Sequence, residues 1–154
     1  MNKLFSYFSL CGALLLLALS GCEGIFDFKS DDQPLFGVEW DLRAFENPVG
    51  TKSAIGSQGL LLFFEKDSAF KGRSYNMKGD PLAPGNSYGG IYKVSAGRSF
   101  TISKTWTTQV GLPSGSRYGE YFEALKNASS YKIEGNRLRI FYNNKTKALE
   151  FKAP

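Results

Sequence analysis

Hydrophobic and polar positions alternate along much of this chain with the period of a β-strand. Residues 37–45 are the clearest case, because Val38, Trp40 and Leu42 fall on one face and charged residues occupy the positions between them. Such alternation predicts a strand that is buried on one side. Further segments are bounded by turn residues and rich in apolar, aromatic or β-branched residues, which predicts strands at 60–65, 69–76, 88–94, 100–109, 131–134, 137–142 and 148–152.

Two of these strands carry more specific signals. The pair Gly89-Gly90 lies inside the predicted strand 88–94, where glycine indicates a bulge or the close approach of another group. In the next strand, Phe100 and Ile102 share a face by the two-residue period. The same period places Trp106 further along that face.

One helix is predicted, over residues 116–127. Ser116 is a suitable N-cap, Asn127 is a suitable end, and apolar residues recur between them at spacings of three and four. No helix separates the early strands, so the sheet should be mainly antiparallel. The expected fold is α+β: a curled sheet or an incomplete barrel of about eight strands, with the helix closing one mouth or face.

The start of the chain has the features of an export signal. A short positive start precedes an apolar run over residues 4–19, which is too short for a confident membrane span. The run ends in Leu19-Ser20-Gly21-Cys22, which resembles the lipobox of bacterial lipoproteins. The resemblance implies that Cys22 is lipidated and becomes the mature N-terminus. The alternative is an uncleaved signal anchor.

This interpretation divides the chain into three parts. Residues 1–21 are the signal peptide, residues 22–35 are the acylated N-terminus and tether, and residues 36–154 are one folded domain. The expected location is the cell envelope, with the lipid on Cys22 holding the protein to a membrane. The outer membrane, on its periplasmic or surface face, is the location we expect.

Composition excludes several classes of function. The net charge of +5 is spread along the chain, so it does not indicate a nucleic-acid partner. The chain has no histidine, and its two cysteines, Cys11 and Cys22, lie in or at the end of the signal. Zinc sites of the usual nitrogen and sulfur kind and mechanisms of the Ser-His-Asp or Cys-His kind are therefore excluded.

No residue set indicates a catalytic centre, a metal site or a cofactor. The Ser-x-x-Lys pattern of serine acyl enzymes begins at Ser68 and at Ser129, but that chemistry needs the serine at a helix start. Both matches lie at predicted strand starts, where a residue three positions along points to the other face. Glu39 and Asp41 share an outward face, but Arg43 continues the same row, which favours a solvated surface.

Several segments together resemble the META domain, the family of HslJ-like bacterial proteins. The resemblance covers about residues 36–152, and its order and spacing are more specific than any single motif. The matching segments are Asn86-Ser87-Tyr88-Gly89-Gly90-Ile91-Tyr92, Trp40-Asp41-Leu42, Phe63-Phe64, Glu120-x-Phe122-x-x-Leu125 and Tyr131-x-Ile133-x-Gly135-x-x-Leu138.

The META resemblance implies an α+β, barrel-like fold and an envelope location, but no settled reaction. Members have been linked in general to stress, drug tolerance and secretion, and some resemble lipid-binding pilotins. Many relatives carry a cysteine where this chain has Gly85, and a second one after the threonine-rich strand, where residues 105–110 have none. No redox or disulfide role therefore carries over to this chain.

Two functions follow as hypotheses, with an enzyme ranked below both. The first is a non-enzymatic envelope lipoprotein that binds another envelope protein through its sheet or loops, in a stress or envelope-maintenance role. The second is a carrier or sensor of a small apolar ligand such as lipid. Its candidate ligand-facing residues are aromatic, and core packing is the alternative role for them: Tyr88, Tyr92, Trp106 and Phe122. A cavity lined by these four favours the carrier, whereas a filled interior with an exposed apolar patch favours protein binding.

Overall fold

The computed structural model describes residues 34–76 and 85–154. The predicted signal peptide, Cys22 and all but the last residues of the tether lie outside these ranges. Within them the chain forms nine strands and one α-helix. These elements are β1 (Glu39–Glu46), β2 (Lys52–Ser53), β3 (Gln58–Phe64), β4 (Ala69–Asn76), β5 (Ser87–Ser95), β6 (Ser99–Thr107), α1 (Tyr118–Lys126), β7 (Ala128–Glu134), β8 (Arg137–Tyr142) and β9 (Lys147–Lys152).

The strands form one antiparallel sheet that closes on itself. The order is β2-β1-β3-β4-β5-β6-β7-β8-β9, and β1 also pairs with β9. In the described part of the chain, β1 and β3 to β9 therefore make an eight-stranded barrel, and β2 extends the sheet beside the end of β1. The predicted antiparallel α+β fold is confirmed. The expectation of a curled sheet or an incomplete barrel is corrected, because the barrel is closed.

Pairing of the first and last strands explains the closure. Leu42 pairs with Phe151, and both side chains are fully buried. A bulge follows in β1, where the register shifts between Leu42 and Ala44. The extra residue lets Phe45 return to the inside while β1 bends along β9. Closure removes two sheet edges and buries the apolar faces of both strands at once.

Side chains fill the barrel interior. Rings meet mostly edge to face, as between Phe64 and Tyr92, whose centroids are 4.9 Å apart. The Trp40 indole donates a hydrogen bond to the Leu35 carbonyl at 3.0 Å, so its one polar group is satisfied. The largest fully buried side chains are Trp40, Tyr88, Tyr121, Phe64, Phe100 and Phe151.

Helix α1 packs against β6, β8 and β9. Its N-cap is Arg117, one residue later than the predicted Ser116, and the Arg117 side chain makes no capping hydrogen bond. Ser116 instead donates a hydrogen bond to the Gln58 side chain at 2.6 Å and accepts one from the Tyr118 amide at 3.2 Å. The predicted end at Asn127 is confirmed, and its side chain donates to a carbonyl in the last turn.

The turns of the two final hairpins contain residues with positive φ. Gly135, with a φ of 57°, occupies the first position of the two-residue turn between β7 and β8. The turn between β8 and β9 places Asn143, Asn144 and Lys145 in the left-handed region. In residues 34–76 and 85–154 no helix has the length and apolar character needed to cross a bilayer.

Candidate functional site

The four predicted ligand-facing aromatics do not lie together. Tyr88 and Phe122 meet where α1 packs on the barrel, with ring centroids 6.0 Å apart. Tyr92 is buried elsewhere in the interior, where its hydroxyl donates to the Glu65 carbonyl at 2.6 Å. Trp106 is 53% exposed and lies on the outer face. These four aromatic residues therefore do not line one interior cavity.

Tyr88 belongs to a buried polar network, and it also lines the outer groove described below together with Trp106. Its hydroxyl donates to the Leu61 carbonyl at 2.5 Å and lies 2.7 Å from the Tyr121 hydroxyl, which must then be the donor of that second bond. Both rings are fully buried, and burial raises the pKa of Tyr88 and of Tyr121 well above the ordinary value of 10.0. These hydroxyls stay protonated and serve as structural hydrogen-bonding groups.

A β-bulge explains the position of Trp106. Phe100 and Ile102 pair with Val94 and Tyr92 and face inward, but Trp106 pairs with Gly89, on the opposite face. The register between β5 and β6 shifts in between, and Lys104 there has a φ of 48°. One extra residue reverses the side of the sheet on which every later side chain lies. The prediction that Trp106 continues the Phe100 face was wrong for this reason.

Strand pairing places Trp106 in a row that crosses the outer face. Reading across from β1 to β6, the paired residues are Glu39, Phe63, Lys71, Gly89 and Trp106. The neighbouring row contains Asp41, Leu61, Arg73 and Ser87. Glycine has no side chain, so the Trp106 ring can lie over the Gly89 position in the first row.

Beside this ring lies a groove of about 380 Å³ on the outside of the barrel, which we call the Trp106 groove. The Trp106 ring lies so close to the β5 backbone that a Cβ on Gly89 would be 2.7 Å from it. The predicted close approach at Gly89-Gly90 is thus confirmed. The groove is lined by Glu39, Leu61, Leu62, Phe63, Lys71, Gly72, Arg73, Ser87, Tyr88 and Trp106.

Two cations lie in the Trp106 groove. The Lys71 ammonium is 2.6 Å from the Glu65 carboxylate and 5.1 Å from the centroid of the Phe63 ring. Arg73 is exposed, and its guanidinium forms no ion pair or hydrogen bond with any residue in the described ranges. The one acidic lining residue is Glu39, at the β1 end of the row. The lining thus has two basic groups against one acidic group.

Asp41 lies beside the groove, and its carboxylate is bound by neighbouring side chains. Its carboxylate is 3.0 Å from the Arg43 guanidinium and accepts a hydrogen bond from the Tyr75 hydroxyl at 3.4 Å. Burial raises the pKa of Asp41, and the nearby Arg43 charge opposes that rise. The Tyr75 ring covers Gly59, where a Cβ would lie 1.9 Å from the ring. These contacts give Asp41 a structural role on the barrel surface.

A second charged cluster lies on the outer face near the junction of β1 and β9. Glu150 is 2.5 Å from the Lys52 ammonium and 3.7 Å from Nε of Arg139. Arg139 also lies 3.6 Å from Oε2 of Glu46, a buried atom with no hydrogen bond. Two cations thus balance two carboxylates. Among the described residues no three His, Cys, Asp or Glu side chains are grouped so that they could hold a metal ion.

Sequence reasoning missed eight of the ten residues that line the Trp106 groove, including Leu61, Phe63, Lys71 and Arg73. The signal for the first two was present, because the segment 60–65 is apolar at every position except the last and so places apolar side chains on both faces. Lys71 and Arg73 gave no distinctive pattern. Their role depends on which residues of three other strands lie opposite them.

Comparisons with known proteins give a fold and no function. No family model matches the chain, and no curated protein matches it. The fold is similar to the crystal structure of a DUF4847 family protein from Bacteroides vulgatus ATCC 8482, with a TM-score of 0.55 and 19% identity over 77% of this chain and 93% of that one. At this identity the likeness concerns the fold alone.

Proposed function

We propose that this protein is a non-enzymatic, lipid-anchored lipoprotein of the bacterial envelope, and that its barrel binds another envelope protein through the Trp106 groove. The role is envelope maintenance or a response to stress. The observation that carries the binding proposal is Trp106 itself, a tryptophan that is 53% exposed beside a groove on an otherwise well-packed barrel. Exposed tryptophan and arginine are the residues that most often dominate protein interfaces.

The interior supports this choice over the alternative, a carrier of a small apolar ligand. Tyr88 and Phe122, two of the residues proposed to line a cavity, are packed against each other and against the Tyr118 ring. The Tyr88 ring is fully buried and its hydroxyl is satisfied within the protein. A ligand inside the barrel would have to displace these contacts, whereas the Trp106 groove is open on the outer face.

The lipid anchor rests on the Leu19-Ser20-Gly21-Cys22 pattern at the end of an apolar leader. Each buried methylene contributes about 0.8 kcal/mol to membrane binding, so two or three acyl chains make release negligible. We expect an outer-membrane location, with the barrel on its periplasmic or surface face. We also propose a distant relationship to the META domain, supported by the order of the motifs given above and by the barrel-like α+β fold that the resemblance implies.

Cysteine substitution tests the anchor. Cys22→Ser is expected to yield protein that no longer partitions with membranes, whereas Cys11→Ser, within the leader, is expected to leave partitioning unchanged. Intact mass measurement of the wild-type protein should show acyl chains on Cys22 and no leader. Unchanged partitioning of Cys22→Ser, or an unmodified Cys22 still joined to the leader, would refute the anchor.

Native mass spectrometry of detergent-extracted protein tests the binding proposal. We expect a stoichiometric protein partner with the wild type, loss of that partner with Trp106→Ala, and its retention with Lys93→Ala. Lys93 is a suitable control because it is exposed on β5 and does not line the groove. Co-purified lipid that survives Trp106→Ala would instead favour the carrier. A partner that both variants retain would refute a role for the groove.

A further inference from the structure

The bulge in β6 has the effect of exposing a tryptophan. With regular alternation Trp106 would lie inside with Phe100 and Ile102, which is where the hydrophobic effect favours an indole. The structure instead holds Lys104, a non-glycine residue, at a φ of 48° and presents the ring outside. Left-handed backbone at such a residue is unfavourable, and bulges of this kind often re-aim a side chain beside a site.

Contact with Gly89 also holds the ring in place. The indole packs against the backbone of β5, where even a Cβ on Gly89 would come within 2.7 Å of it. One side of the ring is thus supported by main chain and the rest of it is open to the groove. An aromatic group that is already immobile loses little entropy when a partner binds, so this arrangement favours recognition.

The groove is lined by Lys71 on β4 and by Trp106 on β6. These two strands are separated by β5 alone, so they are about 10 Å apart, and the Trp106 ring extends over Gly89 into that interval. Phe63 and Leu61 form the apolar side of the groove beyond Lys71 and Arg73. An occupant would therefore meet apolar surface on two sides and positive charge between them.

The charges determine which occupant fits. Arg73 is exposed and unpaired among the described residues, and Lys71 shares its charge with Glu65. Glu39 is at the far end of the row, with Phe63 between it and Lys71. The unpaired guanidinium is suited to a carboxylate, which it can bind through two parallel hydrogen bonds. An acidic partner is therefore favoured over a basic one.

We propose that the Trp106 groove recognises an acidic peptide segment of the partner protein: a carboxylate binds Arg73 and Lys71, and a neighbouring apolar side chain packs against the exposed part of the Trp106 ring. This inference rests on the proposed function, because it assigns the chemistry of the partner at the same groove. A peptide fits better than a lipid head group because Lys71 lies between Phe63 on one side and the Trp106 ring over Gly89 on the other, which gives an apolar side chain next to the carboxylate surfaces to contact.

Isothermal titration calorimetry of the full-length lipoprotein in detergent tests the assignment. The probe is the tetrapeptide acetyl-Glu-Phe-Asp-Leu-amide, and its matched control is acetyl-Gln-Phe-Asn-Leu-amide. We expect the acidic peptide to bind at least about fivefold more tightly, with the difference shrinking at high salt. Equal binding of both peptides, or no binding of the acidic one, would overturn the assignment.

Variants locate the binding site of the acidic peptide. Arg73→Gln should weaken binding about threefold to fivefold, and Lys71→Gln less, because Lys71 also pairs with Glu65. Trp106→Ala should weaken binding about thirtyfold. Lys93→Gln removes the same charge from the outer face of β5 away from the groove and should have no effect. Near-ultraviolet circular dichroism checks that each variant is folded. Equal effects of Lys93→Gln and Arg73→Gln would overturn the assignment.

Two further measurements separate this inference from the proposed function. If a protein partner is lost with Trp106→Ala but retained with Arg73→Gln and Lys71→Gln, the groove binds protein and the acidic assignment is wrong. If vesicles containing phosphatidylglycerol bind the lipid-free Cys22→Ser protein in a manner dependent on Arg73, and the acidic peptide does not compete, the occupant is a lipid head group and the proposed peptide is excluded.

Discussion

Removing the hydroxyls of the buried tyrosine pair should give strongly unequal losses of stability. Tyr88 makes two hydrogen bonds, to the Leu61 carbonyl and with Tyr121, whereas Tyr121 donates one bond, to Tyr88. Both rings are fully buried, and Phe in either place keeps the ring packing. The substitutions Tyr88→Phe and Tyr121→Phe therefore differ mainly in what they leave unpaired.

Magnitudes follow from the orphaned groups. Tyr88→Phe leaves the Tyr121 hydroxyl and the Leu61 carbonyl without these partners, which we expect to cost about 3 kcal/mol of unfolding free energy. Tyr121→Phe leaves Tyr88 bonded to Leu61 and should cost about 1 kcal/mol. In the double variant no orphaned Tyr121 hydroxyl remains. The double variant should therefore be at least as stable as Tyr88→Phe alone, and the two losses should not add.

Urea unfolding of the full-length protein in a mild detergent measures the three losses, with near-ultraviolet circular dichroism reporting the packed aromatic rings. The free energy of unfolding should fall with urea concentration at the same slope in every variant, so that differences in midpoint report differences in stability. A double variant whose loss equals the sum of the single losses, about 4 kcal/mol, would refute the network. Equal losses for Tyr88→Phe and Tyr121→Phe would do the same.

The same pair predicts sensitivity to alkaline pH. Burial raises the pKa of both tyrosines above the ordinary value of 10.0, so the folded state retains protons that the unfolded chain releases. The free energy of unfolding should therefore fall as pH rises through about 10 and should be unaffected by these groups at neutral pH. Tyr121→Phe removes one such group, and its stability should decline less steeply between about pH 9 and 11 in the same urea assay.

Four other substitutions test the packing and backbone of the barrel in the same urea assay. Gly72→Ala should lower the free energy of unfolding by about 3 kcal/mol or more because its Cβ would lie 2.3 Å from the Tyr88 ring. Gly119→Ala, in open space on α1, should raise it by about 1 kcal/mol. Equal effects of the two substitutions would contradict this reasoning. Lys145→Gly should gain about 0.5 kcal/mol because residue 145 has a φ of 64°, and a loss would show that its side chain matters more than its backbone. Arg117→Lys should lower the free energy of unfolding by about 1 kcal/mol because lysine cannot reproduce the paired hydrogen bonds to Glu120. No change would show that these hydrogen bonds contribute little to stability.

Local patterns predicted the elements well. The first strand was expected at 37–45 from its alternation and is observed at Glu39–Glu46, and the helix expected at 116–127 is observed at Tyr118–Lys126. These elements have a clear period and turn residues at their ends, so nearby residues suffice to define them. The two-residue strand β2 was not predicted, because Lys52 and Ser53 have no strand pattern of their own and form a strand only by pairing with the end of β1.

Closure of the barrel depends on residues that are distant in the sequence. The pairing of Leu42 with Phe151 joins the two ends of the described domain. The sequence pattern of either strand alone does not indicate whether the two strands pair. The same limit applies to the cations of the groove. Lys71 and Arg73 were placed on the correct strand, but their relation to Trp106 exists only through the registers of β5 with β4 and with β6.

Trp106 shows how one local irregularity changes a functional interpretation. A period of two assigns the face of a side chain only while every residue of the strand has a partner, and Lys104 lies in the short stretch of β6 where that condition fails. The segment Ser103-Lys104-Thr105 contains no glycine that would indicate left-handed backbone, so the only sequence signal was on the neighbouring strand, at Gly89. Gly89 and Trp106 must therefore be considered as a pair. Without the glycine the ring would have no place against β5, and without the bulge it would lie among the core aromatics and the outer face would have no groove wall.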